Sequence, residues 1–120
     1  MAYQTYRELI AWQKAMELVV EIYEFTREFP TEEKFGLTAQ IRRAGVSVPS
    51  NIAEGHGRRT PRDFANFLWI ANASLAEIQT QALIAQRLGF ASQEATAALV
   101  RQCDDVGRVT RGLRVSLEQT

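Results

Sequence analysis

Apolar residues recur along this chain at steps of three and four, and no segment shows the two-residue alternation of strands bounded by hairpin turns. The pattern predicts four helices and no strands. In the first helix Leu9, Trp12, Met16, Val19 and Tyr23 make the stripe expected to face the core. Leu18, Ile22, Phe25 and Phe29 make a second stripe beside it. At 100° per residue the two stripes together cover roughly 200° of the helix, more than one bundle core uses. Glu17, Glu21, Glu24 and Glu28 occupy the polar remainder. The third helix carries Trp69, Ile70 and Ile84 off its main stripe. So much apolar surface exceeds what soluble monomers expose. Leu18, Ile22, Phe25, Phe29, Trp69 and Ile70 are therefore expected at contacts between copies of the chain.

Local signals set the breaks. "FPTEE" ends the first helix, because Pro30 cannot continue it, and Thr31 is a good N-cap for the next, with Glu32 and Glu33 in its first turn. The second helix follows Leu37, Ile41, Ala44, Val48 and Ile52, and Gly55 and Gly57 close it. "TPRD" then puts Thr60 at an N-cap, Pro61 at the first helical position and Asp63 at the third. Phe64, Leu68, Ala71, Leu75, Ile78, Ala82 and Ala85 keep a heptad rhythm, which suits bundle packing near 20°. "RLGF" ends that helix, with Gly89 free to adopt the left-handed cap. Ser92 opens the fourth helix, which buries Leu99, Val106, Val109 and Leu113. Four helices with short connections predict an all-α, antiparallel up-down-up-down bundle. At 120 residues the chain is expected to be a single domain, residues 1–120.

Pro49 interrupts the second helix. A proline inside a helix removes one hydrogen bond and crowds the carbonyl four residues back, at a cost of about 3 kcal/mol. The steps Ala44, Val48 and Ile52 keep phase across it, and Gly45 brings no side chain to the crowded position. These favour one continuous, kinked helix over a break. Asn51 is placed to bond the carbonyl that Pro49 leaves free. Asn51, Glu54, Ser74 and Glu77 are candidates for one polar cluster between the second and third helices, with a solvated helix end as the alternative for Glu54. Such clusters more often set register or partner choice than perform chemistry.

Composition adds exclusions. With 46% hydrophobic and 23% charged residues the chain is of ordinary globular type. It has no apolar run long enough to span a membrane and no secretory pattern at its start, so a cytoplasmic location is expected. The single cysteine, Cys103, permits neither an internal disulfide nor a cysteine zinc site, and is expected to be a buried, inert thiol. His56 is the only histidine, and Ala53 stands three residues before it, so the Glu-x-x-His pair of a di-metal bundle is absent. No catalytic residues, metal, cofactor or small-molecule substrate are expected, and the protein is read as a non-enzyme.

The net charge is zero, but it is unevenly spread: residues 1–33 hold three basic and seven acidic side chains, residues 34–62 six basic and one acidic. Lys34, Arg42, Arg43, Arg58, Arg59 and Arg62 are the candidates for nucleic-acid contact. They fall into two clusters about 24 Å apart at 1.5 Å per helical residue. "HGRRTPR" lies beside a helix N-terminus, a setting that suits an anion. The alternative is a solvated turn with His56 exposed and idle. Trp12 is expected in the core, and the pairs Arg101–Asp105 and Asp104–Arg108 are ordinary surface pairs.

"FGLTAQIRRAGVSVPSNIAEG" followed by "FLWIANASLAEIQTQ" resembles the 23S rRNA intervening-sequence proteins, a four-helix-bundle family. The similarity covers nearly the whole chain, and Gln40–Arg43 and Ser50–Gly55 are its most specific parts. Gly45 stands where alanine is usual and Ala73 where glycine is usual, both small for small. The resemblance implies a kinked second helix, in which Pro49, Asn51, Glu54 and Gly55 form the structural motif, and a homo-oligomer, often a five-fold ring. It implies no established activity. RNA or a nucleic-acid enzyme is the further partner it suggests. A related group serves as accessory protein of diversity-generating retroelements, binding a reverse transcriptase and RNA. That group is strongly basic, and the pI near 6.6 counts against this alternative.

Overall fold

A computed structural model describes residues 5–119. Its four long helices are α1 (Ile10–Phe25), α2 (Leu37–His56), α3 (Pro61–Arg87) and α4 (Gln93–Glu118), with 3-10 turns at Tyr6–Glu8 and Thr31–Glu33 and no strand among the described residues. Each helix packs on its chain neighbours, α1 also packs on α4, and the backbones of α1 and α3 do not come close together. The helices thus stand at the corners of a bundle, with α1 and α3 on a diagonal. Successive partners run in opposite directions: Gln40 meets Gln81 while Ser47 meets Ser74, and Gln79 meets Asp104 while Trp69 meets Glu118.

The expected punctuation of α3 and α4 is present. Thr60 Oγ1 accepts from the Asp63 N–H at 3.1 Å with Pro61 at the first position, and Ser92 Oγ accepts from the Ala95 N–H at 3.0 Å. Gly89 has φ of 81°, and the Phe90 N–H returns to the Ala85 carbonyl at 2.8 Å, the closure that a left-handed glycine permits. The start of α2 differs from expectation. Thr31 opens a 3-10 turn instead of capping the helix, and α2 begins six residues later at Leu37. Its first turn is capped from a distance, by Glu33 Oε1 accepting from the Leu37 N–H at 3.0 Å.

The α3 stripe from Phe64 to Ala85 is buried throughout, as are Ile41, Ala44, Val48 and Ile52 of α2. At the start of α1 Leu9 is buried and Trp12 packs on the core as expected, but further along the helix the assignment is reversed. Leu18 and Ile22 are fully buried, with Ala11 and Ala15, and Phe29 is buried against Phe25 and Phe90. Met16 and Tyr23, expected inside, are exposed. Leu18, Ile22 and Phe29 are therefore core residues of one subunit and not contacts between copies, and Phe25 is half-buried. The physical reason is packing against both neighbours, α2 and α4, with Ile22 seated on Gly45, where a β-carbon would sit 2.7 Å from Ile22 Cδ1. Tyr23, one residue on, is carried around to the flank.

Candidate functional site

Helix α2 runs unbroken from Leu37 to His56 through a buried Pro49. Two residues beyond it, Asn51 Nδ2 donates to the carbonyl and the hydroxyl of Ser47, at 2.8 and 2.9 Å. The bonded carbonyl is that of Ser47, not the Gly45 carbonyl that proline leaves without its usual donor. Ser47 Oγ in turn meets Ser74 Oγ of α3 at 2.9 Å. The expected four-residue cluster is thus reduced to Asn51–Ser47–Ser74. Glu54 turns outward to pair with Arg58 at 3.1 Å, and Glu77 is exposed. Nearby, a β-carbon on Gly55 would lie 2.6 Å from Phe67 Cβ and 2.9 Å from Phe64 Cδ1. Glycine is what brings α2 and α3 together there. The motif Pro49, Asn51, Glu54, Gly55 is a helix contact with one ion pair at its rim.

The arginines remain in two groups, because an unbroken helix separates them. Arg42 is committed to the fold: its Nε donates to Thr26 Oγ1 at 2.8 Å, and its guanidinium lies 4.4 Å from the centre of the Tyr23 ring. It clasps α1 to α2 through Nε and the ring stack. Arg43 is exposed on the α2–α3 groove beside Ser47, Ser74 and Glu77. At the other end Arg58 rests over Phe67 as well as pairing with Glu54. Arg59 and Arg62 are exposed and make no ion pair among the described residues, beside the N-terminus of α3. His56 is half-buried, edge-on to Phe64, and not an idle surface group.

One site that the sequence pattern did not single out is built on α4. Arg114 is buried, pairs with Glu118 at 3.0 Å and stacks 3.7 Å from the centre of the Trp69 ring. Trp69 Nε1 donates to the same Glu118 carboxylate at 3.3 Å. The available signal was spacing, since Arg114 follows Val106 and Thr110 at steps of four. Trp69 keeps 52% of its surface exposed even so. Trp12 is half-buried and edge-on to Tyr6. Cys103 is buried; burial first, and the Asp104 charge second, push its thiol up to about 12, so it is not a nucleophile near neutral pH. Asp105 pairs with Lys14 of α1 at 2.8 Å and with Arg108 at 2.6 Å, and these two cations hold its carboxyl below the usual range. Neither of the anticipated four-residue pairs forms. Among the described residues no group of three His, Cys, Asp or Glu side chains is placed to hold a metal, and no helix is long and apolar enough to cross a membrane.

The fold and its α2–α3 contact define a small all-α four-helix-bundle protein. The family described as 23S rRNA-intervening sequence protein matches residues 7–112, and the chain belongs to that family. Its structure is similar to the crystal structure of a protein of unknown function from the S23 ribosomal protein family of Bacteroides thetaiotaomicron. The two share 23% sequence identity and a TM-score of 0.75 over 84% of this chain and 94% of that one, a likeness of fold. No curated protein matches the sequence.

Proposed function

We propose that this protein is a non-enzymatic cytoplasmic scaffold that assembles from copies of itself and contacts RNA through its arginine turn. One observation carries the assembly: two apolar faces stand outward at diagonal corners of the bundle. The first comprises Met16, Val20 and Tyr23 of α1 with Val46 of α2, and Val20 is 67% exposed. The second comprises Trp69, Ile70, Leu83 and Ile84 of α3. Ile70 and Trp69 keep the interface role expected of them; on α1 the role passes from Leu18 and Ile22 to Met16, Val20 and Tyr23. A contact that joins two different faces is head-to-tail, and such contacts make a ring where the rotation between subunits closes and an open filament where it does not. Five as the number of subunits is carried by family resemblance, not by these residues. Light scattering after size exclusion tests the assembly. The expected mass is a multiple of 13.5 kDa. A stable monomer at tens of micromolar would overturn it.

For RNA the supporting observation is that Arg59 and Arg62 have no acidic partner among the described residues and lie beside a helix N-terminus. A ring repeats that turn around an axis, which multiplies weak phosphate contacts. Binding should weaken steeply with salt as counterions are released. Arg59→Gln with Arg62→Gln should flatten the slope of log affinity against log salt by about 1.4 for single strands. An unchanged slope removes these two arginines from the site, and salt-independent binding removes phosphate contact altogether.

A further inference from the structure

At the end of the bundle away from the arginine turn, α1 and α4 leave an open groove of about 320 Å³. Its floor is apolar: Phe25 and Phe90, both half-buried, with Leu99 beneath. Phe29 stands behind them, edge-on to Phe25 and tilted against Phe90, and so fixes both rings. The α4 wall is Ala95 and Ala98, both exposed and one helical turn apart. Alanines at that spacing let another backbone approach at the 8–10 Å distance of packed helices. The α1 wall is Glu21, Glu24 and Glu28, at steps of three and four, so all three carboxylates line one edge. Only Glu24 has an ion pair, with Arg27; Glu21 and Glu28 have none among the described residues.

From this geometry we infer that the α1–α4 groove docks a basic amphipathic helix of a partner protein. The partner's apolar stripe would lie on Phe25, Phe90 and Leu99, and its lysines or arginines along the carboxylate edge. Charge decides the class of occupant. Nucleic acid, free phosphate and anionic lipid headgroups are all repelled by the same three carboxylates. An uncharged apolar segment would leave the carboxylates beside a low-dielectric contact without a counterion, which costs free energy. A basic helix satisfies both walls at once. The groove borders the α1 apolar face at Glu24, whereas its α4 wall, Ala95 and Ala98, lies apart from both faces assigned to self-assembly.

The test uses the whole protein and a synthetic helical peptide of about 15 residues, the length at which an isolated helix begins to hold. Leucines mark one face of the peptide and lysines flank it. Fluorescence anisotropy should show saturable binding. Replacing Glu21, Glu24 and Glu28 together by glutamine should weaken it about tenfold, the sum of three partly exposed ion pairs. A control that neutralises Glu32, Glu54 and Glu77 removes the same charge elsewhere and should change little. Ala95→Trp or Ala98→Trp, at exposed positions that leave the core intact, should fill the groove and abolish binding. A peptide with serine in place of leucine should not bind. Equal weakening by both triple variants would mean unspecific attraction and would overturn the proposal. So would binding that survives the tryptophans, or no binding at hundreds of micromolar peptide. A change of oligomer mass in Ala95→Trp or Ala98→Trp, which lie on the α4 wall away from Val20 and Tyr23, would assign the groove to a second copy of the chain and overturn it equally.

Discussion

Val20→Glu should give a folded monomer of 13.5 kDa where the unaltered protein assembles. Val20 points out of α1 and is 67% exposed, so a glutamate there meets water and leaves the subunit's own core untouched. In an assembly that buries the α1 face, the same carboxylate is desolvated without a partner. An uncompensated buried charge costs about 3–5 kcal/mol, which is a loss of roughly 10² to 10³ in association constant or more. Ile84→Glu should act alike from the α3 face, since Ile84 is also exposed. The two variants differ in what they retain: the first keeps a sound α3 face, the second a sound α1 face. Mixed in equal amounts, they should form a heterodimer and go no further, because one good pair of faces remains. That outcome follows only from a head-to-tail contact. If each face instead met its own kind, each variant alone would still dimerise through its intact face. An assembly unaffected by Val20→Glu would take α1 out of the interface.

Gly55→Ala should lower stability by about 2 kcal/mol net, and Gly45→Ala by almost nothing. Alanine favours a helix over glycine by about 1 kcal/mol at either position. The difference lies in what the new methyl meets. At Gly55 it would lie 2.6 Å from Phe67 Cβ and 3.3 Å from the Phe64 carbonyl oxygen. A β-carbon and a backbone atom can yield only if α2 and α3 move apart, and at 2.6 Å that overpacking costs about 3 kcal/mol, the upper end of its usual range. At Gly45 the near atom is the terminal Ile22 Cδ1, which a rotamer change can move aside. For a chain of this size about 2 kcal/mol lowers the melting temperature by roughly 6–10 °C. A Gly55→Ala protein that melts at or above the temperature of the unaltered one would show that the α2–α3 approach is not tight.

The helices were legible because their signals are local. Thr60, Pro61 and Asp63 open α3 through bonds within one turn, and Gly89 closes it through its own φ. The heptad of α3 was equally plain, since only one face of that helix carries a full apolar stripe. Thr31 misled because its turn is 3-10 and the true first turn of α2 is served by Glu33 through a side-chain bond, which capping rules based on the preceding residue do not anticipate. The arginines were legible as a composition bias and not as a site. Arg42 looked like its neighbours in the sequence, yet Thr26 and Tyr23, far off in the chain, take it into the fold.

The chain alone determined an all-α protein, the course of α3 and α4, the continuity of α2 across Pro49, and a surplus of apolar surface on α1. Those follow from periodicity, caps and composition, which act within a turn or two. Which α1 stripe faces inward was a tertiary decision. Both stripes are apolar and sit at the same spacing, so nothing within α1 separates them. The choice is made where α1 packs on α2 and α4, a space that Leu18 and Ile22 fill, Ile22 lying against Gly45, while Val20 is left in water. The burial of Arg114 under Trp69 and the groove between α1 and α4 arise in the same way, from residues that meet only when the helices pack.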